Sequence, residues 1–438
     1  MMACAAALAM VGGGANGQPS PNSSTEAKVD AVKVIADVRR IIAANYVLAD
    51  VRPKLDAALA QGLAAGHYDV SDPGELSDRI NAEMKAVAHD KHLGIHYDPA
   101  EQARLAARPP NAGADDAPPT DQEIREATKF NHGITEMKVL PGNIRYLDLQ
   151  GFFWGGKKTA EAYDNAIRFL QDGDAAVIDL RHNGGGSPDA VQYLISHFLE
   201  PNQPIVTFYM GTSKVDHRSS LDSLPAGRLV GKPLYVLTSG MTASAAEEFT
   251  GHVAGFKLGE IIGENTAGAG FRNEFFPVSG GYVISVSIGR AVLASTGKDW
   301  EGVGFAPTTK VDVDKALDVA QVHALRRIAS AASGDEKQTL EAQAALLEAK
   351  VNPVPTALPA DRYAGKYDGD RSVTMDGATL SYQRSGGPKV AMIALGPNEF
   401  GFNEDPKARI RFTVAGSSVT ALKLVRDDGS TVDAPRTQ

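Results

Sequence analysis

The sequence contains very little cysteine. One of its 438 residues is a cysteine, Cys4. A single cysteine excludes an intramolecular disulfide framework, a zinc site built from several thiolates and a dithiol redox pair. We therefore expect any nucleophile of this chain to be a hydroxyl or an amine.

The sequence also has fewer basic than acidic residues. The chain has 44 lysines and arginines against 53 aspartates and glutamates, which gives a formal net charge of −9. This balance argues against a broad basic face, so we expect no nucleic-acid partner. Hydrophobic residues at 43% and charged residues at 22% are typical of soluble globular proteins, and the length predicts two or three domains.

The amino end carries a short apolar run but nothing long enough to span a bilayer. Residues 2–13 are small and apolar, and the polar segment GANGQPSPNSS follows them. This pattern predicts a signal peptide within residues 1–24, with small residues near Ala15 and Gly17 as a cleavage site. Because the usual basic region is missing, a disordered tail is the alternative. The prediction is an exported protein, periplasmic or secreted, without a stable membrane span.

Helical periodicity begins near residue 26. Apolar stripes predict three amphipathic helices and thus an N-terminal helical domain over residues 25–98. The stripes are Val32, Ile35, Val38 and Ile42, then Leu55, Leu59 and Leu63, then Leu76, Ile80, Met84 and Val87. Residues 99–124 are rich in Pro, Ala and Asp, so residues 99–139 are predicted to be a linker or loop region.

The middle of the chain alternates strands with helices. Five strands are predicted at 144–149, 175–180, 204–210, 234–239 and 282–288. This rhythm predicts an α/β core over 140–333 with a mostly parallel sheet covered by helices. Helices are predicted at about 314–331 and 335–350, and residues 334–359 form a helix and a Pro-rich linker. Short alternating strands and turns predict a small all-β accessory domain, a sheet or barrel, over 360–438.

The strongest local signal for chemistry is residues 234–255, LYVLTSGMTASAAEEFTGHVAG. A buried strand runs through a tight turn at Gly240 into a helix, with Ser244 in its first turn. A serine at that place exposes its hydroxyl near backbone N–H groups and the positive end of the helix dipole. The alternative is an ordinary helix cap, supplied by the serine or by Thr242.

A second glycine-rich turn lies at residues 179–190, DLRHNGGGSPDA. Neither of the standard phosphate-binding glycine patterns is satisfied, so a nucleotide site is disfavoured. An oxyanion hole is the other functional interpretation, in which an N–H of Gly185 or Gly186 joins that of Ala245. A plain strand-to-helix turn is the alternative.

Ser244 needs a base, and three histidines lie together in HDKHLGIHYD, residues 89–98. His89, His92 and His96 have a spacing that a zinc site would also use. Residues 93–97 alternate as a strand would, which places His92 and His96 on one side of it. That arrangement excludes His89 from a three-histidine zinc site. Solvated or capping histidines are the remaining interpretation.

Four ordered motifs together resemble the S41 serine peptidases. They are TSGMTASAAEE, DLRHNGGGSPDAV, GENTAGAG and KDWEGVGFAP. That family includes C-terminal processing proteases, the tricorn core and retinoid-binding modules. The resemblance implies a crotonase-like (ClpP/crotonase) α/β core between the helical and the all-β domains, with Ser244 as the nucleophile.

Within the family, the residues match the tricorn-like branch. Ala269 stands where processing proteases carry a lysine base, whereas His92 in DKHL and Glu301 in WEGVGFAP match the tricorn base and its orienting acid. In the tricorn branch, a serine before the base histidine joins a hydrogen-bond relay to the glutamate, and Lys91 stands in its place. A lysine cannot accept a hydrogen bond, so the relay here must be shorter or use another hydroxyl.

The resemblance implies hydrolysis of peptides or unfolded proteins without a metal or cofactor. Retinoid-binding relatives keep the fold without relying on proteolysis, so an inactive or weak S41-fold protein that binds peptides or lipophilic ligands is the alternative. A zinc hydrolase at His89, His92 and His96 is a third hypothesis.

Overall fold

A computed structural model describes residues 30–107, 118–211 and 214–438. The predicted signal peptide and Cys4 lie outside the described residues. The helices of the described residues are α1 (Ala31–Asn45), α2 (Arg52–Ala64), α3 (Pro73–Val87), α4 (Pro99–Ala106), α5 (Asp121–Lys129), α6 (Lys157–Gln171), α7 (Pro188–Ser196), α8 (Ala245–Gly255), α9 (Ala316–Ala331) and α10 (Gly334–Val351). None of these described helices combines the length and the apolarity that crossing a membrane requires.

Strands make up most of the remaining regular structure. The strands of the first three hundred residues are β1 (Gly94–Tyr97), β2 (Ile134–Leu140), β3 (Ile144–Leu149), β4 (Ala175–Asp179), β5 (Pro204–Met210), β6 (Lys214–Ser219), β7 (Leu234–Thr238), β8 (Glu260–Gly263), β9 (Phe271–Val278) and β10 (Tyr282–Leu293). The later strands are β11 (Thr309–Lys310), β12 (Gly365–Tyr367), β13 (Arg371–Asp376), β14 (Thr379–Arg384), β15 (Lys389–Ala391), β16 (Ile393–Gly396), β17 (Glu399–Gly401), β18 (Arg409–Ala415), β19 (Ser418–Val425) and β20 (Thr431–Pro435).

The three N-terminal helices form as their apolar periodicity predicts. Asp30 and Asp72 cap α1 and α3 by accepting backbone N–H groups of the first turn. Val32 was placed on the buried stripe, but it is 64% exposed; Val34 and Ile41 are buried instead. The buried faces of these helices share one hydrophobic cluster with β10, so the helical segment packs directly on a sheet of the following region.

The prediction of a linker or loop over 99–139 was wrong for most of its length. Its described residues form α4, α5 and nearly all of β2. Thr120 and Glu123 form a capping box at the start of α5, and Asp98 caps α4. These local hydrogen bonds start helices that the high Pro, Ala and Asp content had obscured.

The central sheet has the strand order β11-β8-β7-β4-β3-β2. Its pairs are parallel except for β2 with β3. One face packs on α6, α7 and α8, and the other packs on α9 and α10. The strands predicted at 144–149, 175–180 and 234–239 are therefore confirmed as β3, β4 and β7, and helices cover both faces.

Two other predicted strands lie elsewhere. β5 and β10 belong to a second, antiparallel sheet with the order β1-β10-β5-β6, to which β9 adds through β10. Hairpin connections join β5 to β6 and β9 to β10, so no crossover helix places them in the parallel sheet. The prediction of one mostly parallel sheet was therefore wrong for β5 and β10.

The carboxyl-terminal part is built from strands. Beyond Tyr363 the regular elements of the described chain are the strands β12 to β20, in antiparallel sheets of four and five strands. Tyr363, Phe400 and Phe412 pack in its core in edge-to-face and tilted arrangements at ring-centroid distances of 5.0–5.5 Å. Its all-β character is as predicted, whereas the boundaries of the domains stay predictions.

Candidate active site

The candidate site lies at the carboxyl edge of the parallel sheet. β4 and β7 are neighbours that end at Asp179 and Thr238, so the turns that follow them meet at the same edge. The Ala243 N–H donates to the Asn183 carbonyl at 3.1 Å. The two glycine-containing turns singled out from the sequence are thereby joined.

Ser244 occupies a sharp turn at the start of α8. Its backbone has φ 54° and ψ −119°, a left-handed conformation that costs a residue with a side chain some strain. Thr242 does not cap the helix: its hydroxyl donates to the Leu180 carbonyl at 2.8 Å and accepts from the Ser239 N–H at 2.9 Å. Thr242 therefore stabilises the turn through these two hydrogen bonds. Ser244 lines the adjacent cleft.

Glu247 holds this turn in place, and sequence reasoning missed it. Its fully buried carboxylate accepts from the N–H groups of Ser244 at 3.0 Å, Gly268 at 2.6 Å and Ala269 at 2.7 Å. It also accepts from the Thr266 hydroxyl at 2.6 Å. A glutamate three residues after a serine at a helix start was the signal that could have revealed it.

The glycine turn next to Ser244 requires a residue without a side chain. Gly185 has φ 111°, and a Cβ there would lie 2.8 Å from the Ser244 Cβ. The Gly185 N–H donates to Asn183 Oδ1 at 2.9 Å, so this candidate oxyanion donor is already engaged. Among the described residues the N–H groups of Gly186 and Ala245 meet no protein acceptor, and both residues line the cleft.

His92 lies in the loop between α3 and β1. Its main-chain N–H donates to Asp90 Oδ1 at 2.8 Å, and its ring Nδ1 is buried without a hydrogen-bond partner in the described chain. Burial lowers the pKa of His92, and the negative charge of Asp90 opposes that effect. A histidine with a lowered pKa is neutral at pH 7, the form that can accept a proton.

Lys91 fixes this loop to the neighbouring segment. Its ammonium group donates to the carbonyl oxygen of Ala267. Ala267 belongs to the loop whose next two amides bind Glu247. The lysine that replaces the expected relay serine therefore ties the His92 segment to the Ser244 segment.

Glu301 lies on the turn that follows Trp300. Its Oε2 accepts from the N–H groups of Gly270 at 2.6 Å and Phe271 at 2.8 Å, and its Oε1 is buried without a partner in the described chain. Burial raises the pKa of Glu301 to about 7, with a further upward contribution from Asp90. The backbone of 270–271 thus holds the carboxyl group that sequence reasoning selected.

Asp90 and Tyr46 are two further polar groups that sequence reasoning did not select. Burial raises the pKa of Tyr46, and the charges of Asp90 and Glu301 add to the effect. The Asp90 charge also raises the pKa values of His92 and Glu301, so Asp90 interacts electrostatically with all three groups. The DKHL segment, residues 90–93, contained a signal for Asp90, whereas the sequence around Tyr46 gave none.

The histidines of the zinc hypothesis are not grouped together. His96 Nε2 lies 3.0 Å from Glu101 Oε2 on the exposed side of β1, whereas the charged neighbour of His92 is Asp90. Within residues 30–107, 118–211 and 214–438, no group of three or more potential ligands has the proximity that a metal ion requires.

A cleft of about 290 Å³ opens at Ser244. Its walls come from the first turn of α8, the glycine turn, β9 and the facing sides of α4 and α5. A hydroxyl at a strained turn, two unengaged amides and an adjoining cleft are the components that acyl transfer to a serine uses.

Comparisons with known proteins agree with these components. The model of Peptidase family S41 matches residues 143–311, and that of the N-terminal domain of Peptidase_S41 in eukaryotic IRBP matches residues 26–134. The chain is 25% identical over 156 residues to the carboxy-terminal processing protease CtpB of Bacillus subtilis (strain 168), covering 35% of this chain and 31% of the relative. The chain thus spans about a third of the length of the curated relatives it matches.

Solved structures align with a larger share of this chain than the curated relatives do, but at lower sequence identity. A peptidase structure from Parabacteroides merdae ATCC 43184 aligns at 18% identity with a TM-score of 0.48, covering 70% of this chain and 100% of that one. The tricorn protease aligns at 11% identity with a TM-score of 0.41, covering 64% of this chain and 34% of that one.

Proposed function

Because the chain belongs to the S41 peptidase family, we propose that it is an exported serine peptidase that hydrolyses peptide bonds. Ser244 is the nucleophile, His92 is the base, and Glu301 orients the base directly or through one polar group. The observation that carries the proposal is the conformation of Ser244, held at φ 54° at the start of α8 and facing the cleft. A strained turn of this kind keeps a nucleophile exposed above the end of a sheet.

The proposed reaction proceeds through an acyl-enzyme. Ser244 Oγ attacks the peptide carbonyl carbon while His92 takes the hydroxyl proton, which yields a tetrahedral oxyanion. His92 then gives that proton to the leaving amine as the C–N bond breaks. A water molecule attacks the ester by the same route, which releases the carboxyl product and restores the Ser244 hydroxyl.

The unengaged amides of Gly186 and Ala245 support the oxyanion assignment. Gly185 was the third candidate, and its amide is bound to Asn183, so we assign it the role of shaping the turn. Each donor to an oxyanion contributes about 3 kcal/mol in related enzymes. The lowered pKa of His92 fits its proposed role, because only the neutral ring can take the Ser244 proton.

Asp90 is the group that we propose in place of the missing relay serine. It accepts the His92 main-chain N–H at 2.8 Å and interacts electrostatically with both His92 and Glu301. Asp90 would therefore position the base, while Lys91 anchors the loop rather than joining the relay. The exported location rests on the amino-terminal sequence pattern alone.

Covalent labelling tests the assignment. A serine-directed peptidyl phosphonate should add one adduct to the full chain, and peptide mapping should place it on Ser244. Ser244→Ala should lose the adduct and at least about a thousandfold of the peptidase activity, with an unchanged melting temperature. Absence of labelling together with retained peptide binding would favour the non-catalytic binding protein instead.

A further inference from the structure

A buried carboxylate lies in the cleft one helical turn beyond Ser244. Glu248 is in the first turn of α8, four residues after Ser244 at the N-cap, and both residues line the cleft. Glu248 is 3% exposed and lines the cleft, and its Oε1 has no hydrogen-bond partner in the described chain. The acyl-transfer mechanism proposed above makes no use of this group.

The neighbour of Glu248 inside the protein does not satisfy it. His252 Nε2 lies 3.5 Å from Glu248 Oε1, and both ring nitrogens of His252 are buried without a hydrogen-bond partner in the described chain. A buried carboxylate without a well-placed donor is unfavourable. A substrate that brings a cationic donor into the cleft would remove that cost.

The surrounding walls are shaped for a long apolar stem. Phe208, Phe271 and Trp300 are largely buried aromatic side chains that line the cleft. Ala245 and Ala291 line it as well, with small apolar side chains. Aromatic walls and a carboxylate are complementary to a side chain with a methylene stem and a cationic end.

The charge of the whole cleft favours the same ligand. Five of its lining residues are glutamates and two are arginines, so its lining carries a net negative charge. One of these glutamates, Glu101, pairs with an arginine of the cleft, Arg104, at 3.2 Å. Glu248 is the buried member of the acidic set that lies closest in sequence to the nucleophile.

We propose that Glu248 is a specificity-determining residue that selects peptides with lysine or arginine on the acyl side of the cleaved bond. The inference rests on the proposed peptidase function and adds a substrate class to it. A site that holds a buried polar group rejects substrates lacking the matching partner more strongly than an apolar pocket rejects a wrong shape.

The decisive substrates differ only in the cationic group. Two otherwise identical peptides carry lysine or norleucine on the acyl side, because norleucine keeps the methylene stem and lacks the ammonium. We expect the full chain to cleave the lysine peptide with a kcat/KM at least about tenfold higher. In Glu248→Gln this ratio should fall to about one, while in the control Glu161→Gln, an exposed site on α6, it should stay unchanged.

Several outcomes would overturn the inference. A ratio of one or less in the unaltered protein would do so, as would an equal loss for both peptides in Glu248→Gln, which indicates a structural role beside His252. A preference for glutamine over lysine would indicate a protonated carboxyl group instead. Failure of the peptidase function itself is separate, because it appears as the absence of Ser244 labelling and of cleavage of every peptide.

A measurement on the unaltered protein covers the case in which Glu248→Gln does not fold. n-Butylammonium should inhibit cleavage of the norleucine peptide competitively, and n-butanol at the same concentration should not. Equal inhibition by the two compounds, or none by either, would contradict a cation-binding carboxylate at this position.

Discussion

At the Ser244 turn, the buried Glu247 carboxylate accepts four hydrogen bonds, three of them from backbone amides. Around His92, by contrast, buried polar atoms remain without a hydrogen-bond partner in the described chain. They are Tyr46 Oη, Asp90 Oδ2, His92 Nδ1 and Glu301 Oε1. The Glu247 carboxylate is fully hydrogen-bonded within the fold. Tyr46, His92 and Glu301 instead combine perturbed pKa values with unmet hydrogen bonds, a combination that is concentrated at functional sites.

The difference follows from where the two groups originate. The Ser244 turn and the loop that binds Glu247 both follow strands of the parallel sheet, β7 and β8, which are direct neighbours. Asp90 and His92 follow a helix of the N-terminal segment, and Lys91 between them donates to the Ala267 carbonyl. The proposed base thus belongs to a separate segment, and its position depends on how that segment packs.

The largest expected effect is the loss of activity on replacement of His92, the proposed base. His92→Gln should lower kcat/KM for a cleaved peptide by about a thousandfold, because general base catalysis contributes about 10²–10⁴-fold. Stability should change little, since the His92 ring has an unmet hydrogen bond in the folded protein. Steady-state kinetics and thermal melting measure the two effects.

His89→Gln is the matched control for that variant. His89 is exposed three residues before His92, so its replacement should leave the kinetics unaltered. An equal loss in both variants would contradict a single-histidine base.

The next effect tests the hydrogen-bond network of Glu247 through stability. Glu247→Gln exchanges an acceptor-only carboxylate for an amide whose NH₂ group faces backbone donors. Breaking this buried network should lower the free energy of unfolding by about 3 kcal/mol, with activity lost in proportion to the displaced turn. Urea unfolding followed by circular dichroism gives the value.

Glu161→Gln provides the comparison, because the Glu161 side chain is 62% exposed and lies 3.8 Å from Lys157. An exposed pair of this kind contributes little, so the change should stay below about 0.5 kcal/mol. Equal stability of the two variants would show that the Glu247 contacts do not hold the turn.

The sequence predicts the α/β elements and the candidate catalytic side chains better than it predicts their connections. β4 and β7 were predictable because each is a nearly continuous apolar run followed by a turn, and β3 because four of its six residues are apolar. The sheet that contains β5 and β10 was not, since a local pattern does not encode which distant strand becomes the neighbour. Glu247 and Asp90 were not predicted from the sequence for a similar reason. Their roles depend on backbone amides and charges that only folding brings together.

The smallest effect tests whether Asp90 positions the base. In Asp90→Asn the charge that raises the pKa of His92 is removed, so that pKa should fall further below its ordinary value. Because the neutral ring is the active form, kcat/KM is lost as the pH falls through this pKa, and the acid limb of the profile should move to lower pH. At pH 7, kcat/KM should fall about tenfold, as expected when a hydrogen bond to a charged acceptor is weakened.

A pH profile of kcat/KM distinguishes positioning by Asp90 from general loss of structure. A damaged fold would lower activity at every pH and leave the acid limb where it is. Movement of the limb to higher pH would mean that Asp90 does not act on His92 through its charge. The expected combination, a lower plateau with a limb displaced toward acid, requires Asp90 to hold His92 and to tune it at the same time.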